Sequence, residues 1–307
     1  MTRQQEQLGL LFAALCAVNG AFVPALAKLT TGRAEPLFVA AMTSAFAGLC
    51  AVVVLSVQGK VTVLVRRTVG PRLLLVGALG TAGAHLLFFL GARRASAIET
   101  VLCLQTEPAY SLLLAWLALG HRPSRRRLAA TAMLLLGIAL AVGGVGAAPS
   151  SGVWILLATP LCWQLSHLVV LRGLAGVSPS VLTGARYING SVLLALAWLA
   201  SGGVSSLPAA TELLRQLPLL AVQGVVLSYA GTLAWYQAIA RLDLARTTAI
   251  VVPSIPLLSL AASFLLLGEV PTAQQWIGLL LTAAGVLVFV TAPHVAAADR
   301  PLAAELF

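Results

Sequence analysis

Thr106-Glu107-Pro108-Ala109-Tyr110-Ser111-Leu112 lies inside a long apolar stretch, and Ser254-Ile255-Pro256-Leu257-Leu258-Ser259-Leu260 answers it 148 residues later. The register holds beyond these segments. Pro108 aligns with Pro256, Gly120 with Gly268, Pro123 with Pro271 and Gly137 with Gly285. Each segment sits in the fourth of five apolar runs, so the chain divides into two repeats, residues 1–148 and 149–307. Five is odd, so the second repeat enters a membrane from the side opposite to the first. The sequence therefore predicts an inverted-topology repeat. Such a repeat can exchange conformations between its halves and open a midplane site first to one side and then to the other.

Composition sets the class. The 307 residues are 60% hydrophobic and 9% charged, with a mean hydropathy of +0.98. A soluble domain carries about 25% charged residues. Ten segments are long enough to cross a hydrocarbon core, which takes about 20 residues per helix: Leu8–Ala27, Leu37–Val57, Leu73–Ala92, Ala97–Leu119, Leu128–Val145, Val153–Leu171, Val181–Ala200, Leu217–Ile239, Ala245–Leu267 and Gln274–Thr291. The predicted fold class is an all-α integral membrane protein of ten transmembrane helices. The first run is too long for a signal-peptide core and reads as the first span.

Loop charge orients the spans. With both termini cytoplasmic, thirteen Lys and Arg fall on the inner side, among them Arg66, Arg67 and Arg125–Arg127, against five on the outer side. That is the positive-inside bias. It accounts for the net charge of +10 without nucleic acid. The expected location is a prokaryotic plasma membrane, crossed many times. The four cysteines, Cys16, Cys50, Cys103 and Cys162, all lie in apolar runs and read as small core residues. No metal or cofactor is expected. No H-E-x-x-H, nucleophile elbow or paired aspartates appear, so the reading is not an enzyme. No phosphate-binding G-x-x-x-x-G-K-[ST] appears either, so ATP is not the driver.

Polar residues at mid-depth are the candidate site. An ionised carboxylate there costs ~2.5–3.5 kcal/mol on insertion scales, which makes Glu107 the leading substrate or proton-coupling residue. On one continuous helix, Glu99, Cys103, Glu107 and Tyr110 share a face, and Gln105 points the other way. Thr81, His85 and Phe88 share a face of the third run, with His85 placed to pair with Glu107 or to move a proton. Asn19 lies at mid-depth in the first run. The second half supplies Trp163, Gln164 and His167 in the sixth run, Arg186, Tyr187 and Asn189 in the seventh, and Tyr229, Thr232 and Tyr236 in the eighth. An acid among aromatic rings suits an ammonium group, by charge and by cation–π contact. Arg186 reads either as a snorkelling residue or as a ligand for a substrate carboxylate. Pro24, Pro108, Pro160 and Pro256 are candidate hinges. Gly137, Ala141 and Gly144, and likewise Gly278, Thr282 and Gly285, form small-residue stripes for close helix contact, inside a protomer or across a dimer.

Ten spans, a five-plus-five inverted repeat, and Pro256 followed by Gly268-Glu269 and Pro271 resemble the EamA family of the drug/metabolite transporter superfamily. Leu104-Gln105-Thr106-Glu107-Pro108 resembles a Glu-Pro variant found in exporters of amino acids and metabolites in that group. The resemblance implies a central cavity lined by helices 1, 3, 4, 6, 8 and 9, and a homodimer through helices 5 and 10. His121 departs from the pattern where an acid is common, and so does Asn19-Gly20 where Trp-Gly is common. The leading expectation is a secondary transporter of small metabolites, amino acids or related amines, working by alternating access in the export direction. One alternative is an importer or facilitator of a cationic or quaternary amine. Another, of a different class, is a non-transporting membrane sensor. The expected partners are a small-molecule substrate and the lipid bilayer.

Overall fold

A computed structural model describes residues 3–120, 122–143, 149–242 and 244–292, and every regular element among them is helical. His121 and Gly144 lie outside the described residues. The first two helices are α1 (Arg3–Thr31) and α2 (Pro36–Val57). A third rod follows in three parts: α3 (Gly70–Gly77), a π-helical segment Ala78–Gly83, and α4 (Ala84–Arg94). Next come α5 (Ala97–Leu104), α6 (Glu107–Leu119), α7 (Arg125–Val142), α8 (Ser151–Gly173) and α9 (Pro179–Ala200). Then α10 (Ala210–Ala221) runs through a second π segment, Val222–Ala230, into α11 (Gly231–Leu242). The described chain ends with α12 (Leu244–Leu267) and α13 (Ala273–Thr291).

Eight helical stretches among the described residues are long and apolar enough to cross a membrane. α7 and α9 fall outside that set. α7 opens on Arg125, Arg126 and Arg127, and α9 carries Arg186 and Asn189 in its middle.

The 148-residue register reappears in local geometry. Gly120 (φ 72°) ends α6 and Gly268 (φ 68°) follows α12, each in the left-handed conformation that glycine adopts without a Cβ penalty. Ser124 then caps α7 by accepting from the Arg127 N–H at 3.3 Å, and Thr272 caps α13 by accepting from the Gln275 N–H at 3.2 Å. The two π segments also fall at matching positions, in the third rod and in the rod from Ala210 to Leu242.

Most close contacts join the first half of the chain to the second. α1 lies against α11 and α12, α8 against α4, α5 and α6, α2 against α9, and α7 against α13. Lipid is as apolar as leucine, so close fit and interhelical hydrogen bonds must hold such helices together. The α7–α13 pair shows the fit. A Cβ on Gly137 would lie 2.5 Å from the Thr282 nitrogen, and one on Gly278 would lie 2.5 Å from the Gly137 oxygen. The small-residue stripes are thus used inside the chain, backbone to backbone. The outer faces of the same helices expose Leu135, Leu136, Leu280 and Leu287.

The prolines divide into two kinds. α1, α8 and α12 run without a break through Pro24, Pro160 and Pro256, and α12 also through Pro253. Pro108 stands in the first turn of α6, just after a break at Gln105 and Thr106. A first-turn proline removes no helical hydrogen bond. Pro108 therefore marks a helix start and costs α6 no backbone bond.

Candidate functional site

The break before Pro108 changes the reading of its helix. Glu99 and Glu107 belong to successive helices, α5 and α6, joined by a turn at Gln105 and Thr106. Glu99 has a local task. It accepts from the Ser96 N–H at 2.7 Å while Ser96 Oγ accepts from the Glu99 N–H at 3.0 Å, a capping box at the start of α5. Glu269 caps the same helix from the far end of the chain, accepting from the Ala97 N–H at 3.0 Å and the Ile98 N–H at 3.3 Å. Glu107 is the first residue of α6, where the N-terminal partial charge favours an anion. That placement lowers the cost of a carboxylate at this depth. The Gln164 side chain of α8 donates to Glu107 Oε1 at 2.8 Å, and the same amide nitrogen lies 3.5 Å from His167 Nδ1.

His85 does not pair with Glu107. Its Nδ1 lies 2.8 Å from Ser44 Oγ of α2, a buried contact, and its ring meets Phe89 edge-on at 6.0 Å. His85 is one wall of a cavity of about 50 Å³, together with Val23, Thr43, Phe88, Phe89, Trp163, Gln223, Leu227 and Ser228. Two buried polar atoms on that wall, Thr43 Oγ1 and Trp163 Nε1, have no hydrogen-bond partner among the described residues. The space is well below the ~150 Å³ that takes one benzene ring. A metabolite needs the cavity to widen.

The π segments tie the site to α9. A π turn disturbs the regular hydrogen-bond ladder, and backbone carbonyls at membrane depth need partners. Arg186 donates to the Gly80 oxygen through Nε at 3.1 Å and Nη2 at 2.8 Å. The next residue, Tyr187, donates to the Ser228 oxygen at 2.9 Å, and its hydroxyl also lies 2.8 Å from Thr232 Oγ1. Asn19 of α1 donates to the Val226 oxygen at 2.7 Å. Arg186 therefore turns inward and does not snorkel. Asn19 and Tyr187 serve the second π segment, and the Tyr229 ring, tilted 58° to that of Tyr187 at 6.3 Å, has only 4% of its residue surface exposed.

Of the nine expected substrate residues, His85 and Trp163 line the cavity, and Glu107 and Gln164 form the carboxylate cluster beside it. Tyr110 lies one turn along α6 from Glu107. The Tyr236 side chain lies outside the described residues. Sequence reasoning missed Thr43 and Gln223. Gln223 donates to the Leu26 oxygen at 3.2 Å and to Thr30 Oγ1 at 3.1 Å. An amide at that depth in an apolar run was the available signal.

A model of the EamA-like transporter family matches residues 7–143 and again residues 150–291. A probable terminal-alkyne amino-acid exporter of Streptantibioticus cattleyicolor is 29% identical over 227 residues, which cover 71% of this chain and 72% of that protein. A solved crystal structure 22% identical in sequence has the same fold, with a TM-score of 0.63 over 94% of this chain and 96% of that one.

Proposed function

This chain belongs to the EamA-like transporter family, and on that premise we propose that it exports amino acids or related amines by alternating access. The observation that carries the reading is the Glu107–Gln164 pair, a carboxylate held inside the bundle one residue along α8 from the cavity wall at Trp163. A carboxylate there attracts an ammonium group and is placed to exchange a proton. The exporter from Streptantibioticus cattleyicolor supports the amino-acid class. The architecture we propose has ten spans, with α7 and α9 completing the eight apolar stretches and both termini cytoplasmic. It has two five-helix repeats, 1–148 and 149–307, in a prokaryotic plasma membrane. The 148-residue match of caps and π segments supports this division.

In this mechanism the α5–α6 break and the two π segments are the deformable points, and the cavity widens between them. The test is uptake into proteoliposomes over a panel of amino acids, amines and nucleosides. Saturable flux of amino acids or amines, absent from empty liposomes, is the expected result. Flux of nucleosides alone would overturn the substrate class. A second reading, a facilitator of quaternary amines, draws on the aromatic wall of Phe88, Phe89 and Trp163. Collapse of the proton gradient separates the two, since it stops concentrative export and leaves facilitation unchanged.

A further inference from the structure

We propose that Arg186 binds the substrate's carboxylate while Glu107 takes its ammonium group, so that the site selects zwitterionic amino acids over the corresponding amines. The inference rests on the transporter reading above and narrows its substrate class.

Three observations carry it. First, both charges stand inside the bundle, and among the described residues neither forms an ion pair. Arg186 bonds to the Gly80 oxygen and lies 5.9 Å from the centre of the Tyr187 ring, and Glu107 is bonded by Gln164. An unpaired ion at membrane depth is costly and marks a functional position. Second, the two lie within electrostatic reach of each other. Arg186 lies near enough to Glu107, His85 and His167 for its charge to act on all three. Third, one stretch of α8 links both charges to the cavity. Trp163 is on the cavity wall and Gln164 holds Glu107. Ser166 crosses Gly80 so closely that a Cβ on that glycine would lie 2.7 Å from Ser166 Oγ and 3.2 Å from Arg186 Nε.

The bonds to Gly80 use two of the five guanidinium N–H groups, which leaves donors for a carboxylate. N–H donors on a fixed guanidinium are what a carboxylate, which accepts through both oxygens, needs. The charges also balance, with one cation and one anion for each on the substrate. A monocationic amine would satisfy Glu107 and leave Arg186 unpaired, with two positive charges in a medium of low dielectric constant.

The experiment uses reconstituted full-length protein and a set of amino acids, each paired with its decarboxylated amine. Wild type is expected to move at least one amino acid and to move its amine at least tenfold more slowly. Arg186→Gln keeps a donor for the Gly80 oxygen and removes the charge. It should lower amino-acid flux about tenfold and leave amine flux equal or raised, so the ratio falls towards one. Arg186→Lys keeps the charge and should hold the preference for the carboxylate at reduced flux. That result is readable even where the glutamine variant fails to fold. Equal loss of both fluxes in Arg186→Gln, or a wild type that moves amines as fast as amino acids, overturns the proposal and leaves transport standing. A wild type that moves neither class overturns the transport reading and this proposal together.

Discussion

Residues 97–119 and 244–267 occupy matching places in the 148-residue register, and each carries a proline at the same point, yet they fold differently. The first stretch stops at Leu104 and restarts at Glu107. Its turn closes through short i→i+3 bonds, from the Gln105 N–H to the Leu102 oxygen at 3.0 Å and from the Thr106 N–H to the Cys103 oxygen at 3.2 Å. The second stretch runs on as α12 through Pro253 and Pro256, where Ser254 Oγ donates back to the Ile250 oxygen at 2.6 Å. Proline alone does not decide between a break and a continuous helix. What differs is the neighbour in sequence. Glu107 gains from a helix start, whereas its counterpart Ile255 lies against Gly20, on which a Cβ would sit 3.0 Å from Ile255 Cδ1. Matching sequence positions thus carry different backbone and different chemistry, and the acid of this pair is on one side only.

The largest effect that would sharpen this contrast is on transport. Glu107→Gln keeps shape and removes charge, so flux and its pH dependence should fall at least tenfold while the protein stays monodisperse on size exclusion. Wild-type flux with an unaltered pH profile would show that the carboxylate is structural. The mirror experiment places an acid in the continuous helix. Ile255→Glu has no helix start to receive it, so it should destabilise by ~2.5–3.5 kcal/mol, the insertion cost of a charge at this depth. Thermal unfolding in detergent measures this, and an unchanged midpoint would erase the distinction between the two stretches.

Proline substitutions come next. Pro256→Ala restores an N–H inside α12, where proline costs up to about 3 kcal/mol. Pro108→Ala restores one in a first turn that has no use for it. The unfolding midpoint should therefore move further for Pro256→Ala, and equal shifts would contradict the assignment of the break. The smallest effect should be the one shared by both stretches. Gly120→Ala and Gly268→Ala each place a Cβ in the left-handed region, at a cost of ~1–2 kcal/mol. The two losses in stability should agree closely, and a marked difference would mean that the terminal caps are not equivalent.

The 148-residue register was legible because the residues that mark it act locally. A glycine with positive φ, a Ser or Thr at a helix start and a proline at a fixed offset act within one turn, so the 148-residue register carries over into geometry without help from distant residues. The acid at position 107 was legible for the same reason, as a cost visible in one apolar run. Its surroundings were not. Placing Glu99, Cys103, Glu107 and Tyr110 on one face assumed an unbroken helix, and the structure has a turn at Gln105 and Thr106 between α5 and α6. His85 was expected to pair with Glu107 or to move a proton, and the position of α2 gave it Ser44 instead.

Hydropathy and charge, summed over each run of the sequence, determined that the chain is helical and suited to a membrane, because a bilayer tests every helix singly for length and polarity. Spacing alone determined which positions of the two halves correspond. Which helix meets which was decided only in the tertiary structure: α1 with α11 and α12, α8 with α4, and α9 across both π segments. Those contacts depend on close fit and on carbonyls seeking donors from other helices, which span more than a hundred residues of sequence, from Gly80 to Arg186 and from Asn19 to Val226. No periodicity within one run encodes them, because the carbonyl and its donor come from different helices and meet only when those helices do.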